Sequence, residues 1–315
     1  MGIVKDSPEK KSNEINIDYI IITAAWNEEQ FIEKTIKSVV AQTVLPKKWI
    51  IVSDGSTDRT DEIVLKYAKV FTWIELVRIP IHPVHNFASK VYCFRSGYEK
   101  VRSLGFDVIV NLDADISFEP DYFEFILEKL KKNPKLGVAG TPFIEDGHRY
   151  DYRFTSINHV SGACQLFRRQ CFEDIGGYVP IKMGGIDWVA VTTARMKGWE
   201  TRTFPEKVCY HHRKIGTAGK SVFVSIFDYG RKNYFLGYHP LWQFFRAVYQ
   251  MMKKPIFLGG ILLWVGYVWG FLTIRNRPVS PELVTFYRRE QMERLRSIMI
   301  NLLNPRKLKK DFSRK

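Results

Sequence analysis

Residues 107–115 read DVIVNLDAD. The apolar run Asp107–Leu112 reads as a buried strand, and Asp113-Ala-Asp115 falls at its carboxyl end. Two carboxylates at i and i+2 in that place suit a hard divalent cation that keeps waters and also binds substrate phosphates. An isolated Asp-x-Asp is often no more than two solvated loop acids. What favours a ligand here is the position directly after a buried strand.

The same rhythm runs outward from this stretch. DYIIITAA (18–25), WIIVS (49–53), 73–79 and LGVAG (136–140) read as further strands. Helices are predicted between them. One runs from a cap at Asn27 through Val40, one over 59–69 behind Asp58, one over roughly 88–103, and one opened by Pro120 through Lys131. Strands alternating with helices at this spacing predict a mostly parallel α/β sheet with helices on both faces. Ligands of such sheets bind beyond the carboxyl ends of the strands. That places the site at Ala24–Glu28, Ser53–Asp58, His82–Lys90 and Asp113–Asp115. Asp54 ends its strand and is placed to accept hydrogen bonds from a base; Asp58 reads as a turn and cap residue. Neither a Walker loop nor a G-x-G-x-x-G fingerprint is present, so a P-loop NTPase and a Rossmann dehydrogenase have no support.

The chain has 315 residues, 45 % hydrophobic, with 48 Lys+Arg against 33 Asp+Glu and a net charge of +15. That composition excludes disorder and allows a large core. The charge asks for an anionic partner. Residues 275–315 carry twelve Lys/Arg against four Asp/Glu, a net of +8, which leaves +7 for residues 1–274. More than half of the excess therefore lies beside the uncharged run 255–274, which points to an anionic membrane surface and away from nucleic acid. No helix-turn-helix, RNA-recognition or zinc pattern supports a nucleic-acid reading. The four cysteines form no CxxC pair and read as reduced, buried thiols. Residues 1–16 are polar, without an apolar signal core, and read as a loose tail.

Five stretches together resemble the family-2 glycosyltransferases: IITAAWNEEQFIEKTIKSVVAQT (21–43), VSDGSTDRT (52–60), VNLDADISFEPDYF (110–123), SGACQLFRRQCFEDIGGY (161–178) and GGIDW (184–188). The resemblance covers roughly residues 18–215 and implies an inverting enzyme of GT-A fold, the nucleotide-diphospho-sugar transferase architecture. It implies a nucleoside-diphosphate sugar donor and a divalent cation, Mn2+ or Mg2+. Carried onto these residues, Ala24, Trp26 and Glu28 line the nucleoside pocket and Asp54 bonds the base. Lys90 lies near the diphosphate, Asp113 faces the ribose or the metal, and Asp115 holds the metal. Asp187 is the general base; its plainer reading is a cap of helix 188–197. Two places depart from the family pattern: Ala24 and Trp26 stand for the usual Pro and Tyr, and Ile186-Asp187 for the usual Glu-Asp pair. The family commonly has a His near the metal or diphosphate, and His211 or His212 can supply it. Adjacent strand residues face opposite ways, so at most one of the two is in the site. Lys214, Lys220, Arg231 and Lys232 form a basic run that suits either the diphosphate or a lipid surface. The Gln-x-x-Arg-Trp motif of processive synthases is absent, which argues against a multi-span polysaccharide synthase.

A loose tail (1–16), a catalytic domain (17–217) and a helical C-terminal region (218–315) are thus expected. In the last, the nineteen uncharged residues 256–274 would reach about 28 Å as a helix, close to a bilayer core. The basic flanks oppose a simple span, and four glycines weaken a straight helix, so an in-plane or re-entrant segment is preferred. An amphipathic helix over 281–303 suits an anionic surface. A core or dimer helix, and with it a homo-oligomer, is the competing reading of the run. The expected enzyme works at the cytosolic face of a membrane on a glycan or lipid-linked acceptor. A polyprenyl-phosphate glycosyltransferase is the alternative within enzymes, and a non-catalytic membrane-associated binding protein the alternative outside them. A nucleotidyltransferase would need a Gly/Arg/Lys-rich loop near the N-terminus, where TAAWNEEQ offers none.

Overall fold

The computed structural model describes residues 17–82, 86–145, 156–213 and 221–303. The tail 1–16 and the lysines 214 and 220 lie outside them. The chain begins with β1 (Tyr19–Ala25), α1 (Ile32–Val40), β2 (Lys48–Asp54), α2 (Thr60–Ala68), β3 (Ile74–Ile79) and α3 (Phe87–Val101). It continues with β4 (Val108–Leu112), β5 (Ile116–Phe118), α4 (Tyr122–Lys132), β6 (Leu136–Gly140) and β7 (Phe143–Ile144). Next come β8 (Cys164–Arg168), α5 (Arg169–Asp174), α6 (Ile186–Met196), β9 (Glu200–Thr203) and β10 (Cys209–His211). The last four elements are α7 (Val222–Phe235), α8 (Pro240–Met251), α9 (Leu258–Thr273) and α10 (Pro281–Leu303).

The main sheet has the order β3-β2-β1-β4-β8-β6-β9. Its first four strands are parallel, and β8 enters antiparallel between β4 and β6. Strand order reverses between β1 and β4, which opens a crevice beyond their carboxyl ends. Alternate residues of β1 feed two cores. Tyr19 and Ile21 pack with Ile36, Phe123 and Ile126 beneath α1 and α4. Ile20 and Ile22 pack with Val91, Phe94 and Val189 beneath α3 and α6. This second core continues without a break into Leu236, Tyr267 and Leu283 of the C-terminal helices. A small sheet, β5-β10-β7, stands at the mouth of the crevice.

Three expected local features turn out differently, each for a physical reason. Helix α1 starts at Ile32, not at Asn27, which adopts a left-handed φ of 53°. The amides of Asn27, Glu28 and Glu29 donate to Ser56, Thr60 and Asp58, and Asn27 accepts from Thr57. The stretch is therefore pinned to the loop after β2 and is not free to form a first helical turn. Helix α6 is capped by Gly185 at a φ of 92°, so Asp187 lies inside the first turn and is not the cap. In α9 the glycines do not break the helix; they make its crossings. A Cβ on Gly266 would lie 2.1 Å from the Phe227 carbonyl oxygen, and one on Gly230 2.2 Å from that of Leu263, so α7 and α9 touch backbone to backbone. With 16 residues α9 rises about 24 Å. Among the described residues no helix is long and apolar enough to cross a membrane.

Candidate functional site

The ends of β2 and β4 bring acids, Asp54 and Asp113, to the crevice. Asp54 closes β2 and is buried. Its Oδ1 accepts from the His82 amide at 3.1 Å and lies 2.6 Å from His82 Nδ1, and the His82 ring stacks on Tyr92. Gly55 makes the tight exit after it at φ 61°, where a Cβ would strike Ile81. Ala24 is half-buried at the end of β1 and Trp26 is exposed at the rim. Lys90, in the second turn of the Asn86-capped α3, forms an ion pair with Asp113. Burial raises the Asp113 carboxyl above its ordinary range, and Lys90 opposes that rise.

Asp115, at the start of the small sheet, is buried. Its carboxylate lies 3.6 Å from His211 Nε2 and 3.6 Å from Arg213 Nε. Arg213 also holds Glu28 at 2.5 Å. Glu28 is pushed up to about 7, first by burial, with Arg213 opposing and Asp115 adding to the rise. His211 is the histidine that faces the acids. His212 bonds Ser117 at 2.8 Å through Nε2. The alternation of β10 explains the split.

Asp187 reaches the crevice from the other side, and Oδ2 accepts from the Gly162 amide at 3.2 Å. A Cβ on Gly162 would stand 3.1 Å from that of Asp187, so a side chain there would press on the acid. The Gly162 carbonyl in turn accepts from Asn111 at 2.8 Å and faces Lys90 Nζ at 3.4 Å. One residue, Gly162, thus stands between the Lys90–Asp113 pair and Asp187.

The acids after β4 are of the kind that could hold a hard divalent cation, and with His211 they offer two carboxylates and an imidazole. Of this set only Asp115 and His211 stand within ligand distance of each other, at 3.6 Å. His211 Nδ1 is buried without a hydrogen-bond partner and lies 3.7 Å from Glu145. Asp54, His82 and Cys93 also bring three donor atoms within 4.8 Å of one another. There the Cys93 thiol is pushed up to about 12, mainly by burial, and Asp54 and His82 already bond each other. That group reads as a carboxylate braced at the end of β2. Asn111, Glu145 and Arg213 are not marked by the sequence, and His82 only as the start of the expected His82–Lys90 segment. Arg213 adjoins the two histidines, and that adjacency was the signal available for it. All four cysteines are free and buried, as expected.

The model of glycosyl transferase family 2 matches residues 20–180. Among curated proteins the chain is similar to poly-beta-1,6-N-acetyl-D-glucosamine synthase of Staphylococcus epidermidis, 25 % identical over 214 residues, covering 62 % of this chain and 48 % of that protein. The Staphylococcus aureus (strain COL) protein of the same name is 25 % identical over 226 residues, covering 64 % and 52 %. The chain thus spans about half the length of the curated relatives it matches. Among solved structures it resembles the mannosyltransferase PcManGT from Pyrobaculum calidifontis, determined with GDP-Man and Mn2+, at TM-score 0.53, 18 % identity, 94 % of this chain and 85 % of that one. It also resembles residues 1–349 of S. aureus TarS, determined with UDP-GlcNAc, at TM-score 0.51, 13 % identity, 82 % and 73 % coverage. These likenesses show the GT-A-like fold.

Proposed function

The chain belongs to glycosyl transferase family 2 and is a glycosyltransferase, and from that premise we propose an inverting, cation-assisted transfer with Asp187 as general base. The donor is a nucleoside-diphosphate sugar. One observation carries this reading: Lys90, paired with Asp113, faces the carbonyl of Gly162, and Asp187 accepts from the amide of the same residue. A leaving diphosphate and an attacking hydroxyl need that separation, since inversion puts them on opposite faces of the sugar. In this reading Asp54 accepts from the base, Trp26 with Ala24 covers it, and Glu28 closes the nucleoside pocket. Asp113, Asp115 and His211 would hold the cation, which supplies positive charge to the leaving diphosphate. Asp187 takes the proton of the acceptor hydroxyl as its oxygen bonds the anomeric carbon.

The acceptor is a glycan or lipid-linked glycan reached at a membrane surface. The support is the outer face of the C-terminal helices. Phe244, Val248, Phe257, Trp269 and Phe271 are exposed there, 40 % or more for each. Lys253, Lys254 and Arg275 border it. In α10, Leu283, Val284 and Leu295 turn inward, and only its far end exposes Ile298 and Met299. The apolar face therefore belongs to α7–α9 more than to α10. Incubating the chain with nucleoside-diphosphate sugars and lipid or glycan extracts, with products read by mass spectrometry, tests the transfer. The expected result is a sugar-adduct that disappears in Asp187→Asn. Equal product from that variant removes Asp187 as base, and no product from any donor favours a binding protein. Flotation with anionic and neutral vesicles tests the membrane contact; recovery in the bottom fraction with both kinds would refute it.

A further inference from the structure

Near Asp187 stand two cations that make no ion pair with a carboxylate among the described residues. Lys232 of α7 packs its stem beside Gly185, with Cε 3.5 Å from where a Cβ of that residue would be, two positions before Asp187. Its Nζ lies 5.9 Å from the Phe87 ring centre and 5.8 Å from that of Tyr229. Arg246 of α8 places its guanidinium 5.4 Å from the ring centres of both Tyr229 and Tyr238. Tyr238 packs in turn against Trp188, the residue that follows Asp187, at 5.8 Å. The charged and titratable groups that act on Arg246 are the tyrosines 229, 238 and 287, and Arg294 faces it from α10. Among the described residues no carboxylate makes an ion pair with Lys232 or Arg246, whereas the neighbouring Arg231 has Asp228 at 3.5 Å.

Aromatic faces offset part of the cost of such cations but do not neutralise them. Arg246 and Lys232 pull the Tyr229 phenol below its ordinary range, and Asp187 is close enough to push the other way. The two cations thus meet on the Tyr229 ring close to Asp187, and a guanidinium fork with an ammonium matches a phosphate. We propose that Arg246 and Lys232 form a subsite for a phosphate group on the acceptor, seated beside Asp187 and apart from the donor diphosphate. This rests on the reading of Asp187 as the base. The donor side has its own cations, Lys90 and Arg213, already on Asp113, Glu28 and Asp115. The same helix, α8, exposes Phe244, Phe245 and Val248, an apolar surface on the element that carries Arg246.

Calorimetric titration of the full chain with decyl phosphate, inorganic phosphate and decanol tests the subsite. In parallel, UDP and GDP are titrated with Mn2+. Decyl phosphate is expected to bind and decanol not at the same concentration. Arg246→Gln should weaken decyl phosphate by at least about tenfold, as loss of a hydrogen bond to a charged group does. Lys232→Gln should weaken it in the same direction, Arg246→Lys should recover part of the loss, and nucleotide affinity should stay within about twofold. Inorganic phosphate that binds as tightly as decyl phosphate supports the subsite and assigns it to a free phosphate; much weaker binding assigns it to a lipid headgroup. Three results overturn the proposal: both variants bind decyl phosphate like the parent, decanol binds equally well, or nucleotide affinity falls together with that for decyl phosphate. If Arg246→Gln fails to melt cooperatively, the half-buried Lys232 carries the comparison. A parent chain that binds decyl phosphate but no nucleotide would sink the glycosyltransferase mechanism above and leave the subsite standing.

Discussion

The two sides of Asp187 are built on opposite electrostatic plans. On the donor side Asp113 has Lys90, Glu28 and Asp115 share Arg213, and Asp54 has His82. These groups sit on strand ends and on loops pinned by side-chain bonds to backbone amides. On the acceptor side Lys232 and Arg246 rest on tyrosine rings, on helices whose outer faces are apolar. The difference teaches that the proposed donor side holds more carboxylates, Asp54, Glu28, Asp113 and Asp115, than fixed cations, Lys90 and Arg213, which suits a divalent cation. The acceptor half carries its charge permanently, as suits a single anionic group brought in without a metal.

The comparison breaks most visibly at Asp187. Asp187→Asn is expected to lower transfer by about a hundredfold to ten-thousandfold, the usual worth of a general base, with donor KM nearly unchanged. A fall in nucleotide affinity of the same size would place Asp187 on the donor side instead. The next effect is structural and belongs to the acceptor side. Gly266→Ala pushes a methyl to 2.1 Å from the Phe227 carbonyl, so α7 and α9 must separate. A loss of about 1–3 kcal/mol is expected, read as a lower denaturation midpoint with nucleotide binding kept. The smallest effect tests the donor side through pH. Glu28 is raised from an ordinary 4.5 to about 7, chiefly by burial. Between those values the native chain keeps a proton that the unfolded chain has released. Its stabilisation is thus full below the lower value and is lost as pH rises through the upper one. Glu28→Gln has no such titration. Without added metal, its melting temperature should gain on the parent between about pH 5 and about pH 8, and parallel curves would contradict the burial of Glu28.

The donor half was largely legible in the sequence. Its β-branched runs and the acids after them fix β1 to β4 and the crevice, because buried parallel strands leave that pattern without help from distant contacts. The start of α1 was not legible, since Asn27 and its neighbours donate their amides to a loop thirty residues away. The same holds for β8, whose antiparallel entry beside β4 is a tertiary choice. Strand alternation allowed only one of His211 and His212 into the site, and only the pairing of β10 with β5 shows which. In the acceptor half the sequence showed an uncharged, glycine-rich run and a basic neighbourhood. It could not show that the glycines mark helix crossings, or that Lys232 and Arg246 come together on Tyr229, because apolar periodicity does not name its partner.

The most direct test is a calorimetric screen of nucleoside diphosphates against the full chain, with and without Mn2+, repeated on Asp115→Ala and Arg246→Gln. At least one nucleotide should bind far more tightly with Mn2+. That gain should vanish in Asp115→Ala, falling by more than the roughly hundredfold that loss of an outer-shell partner causes, and should persist in Arg246→Gln. A chain that binds no nucleotide more tightly with the cation, or an Asp115→Ala protein that binds like the parent, would contradict the division of the site into a cation-dependent donor side and a permanently charged acceptor side.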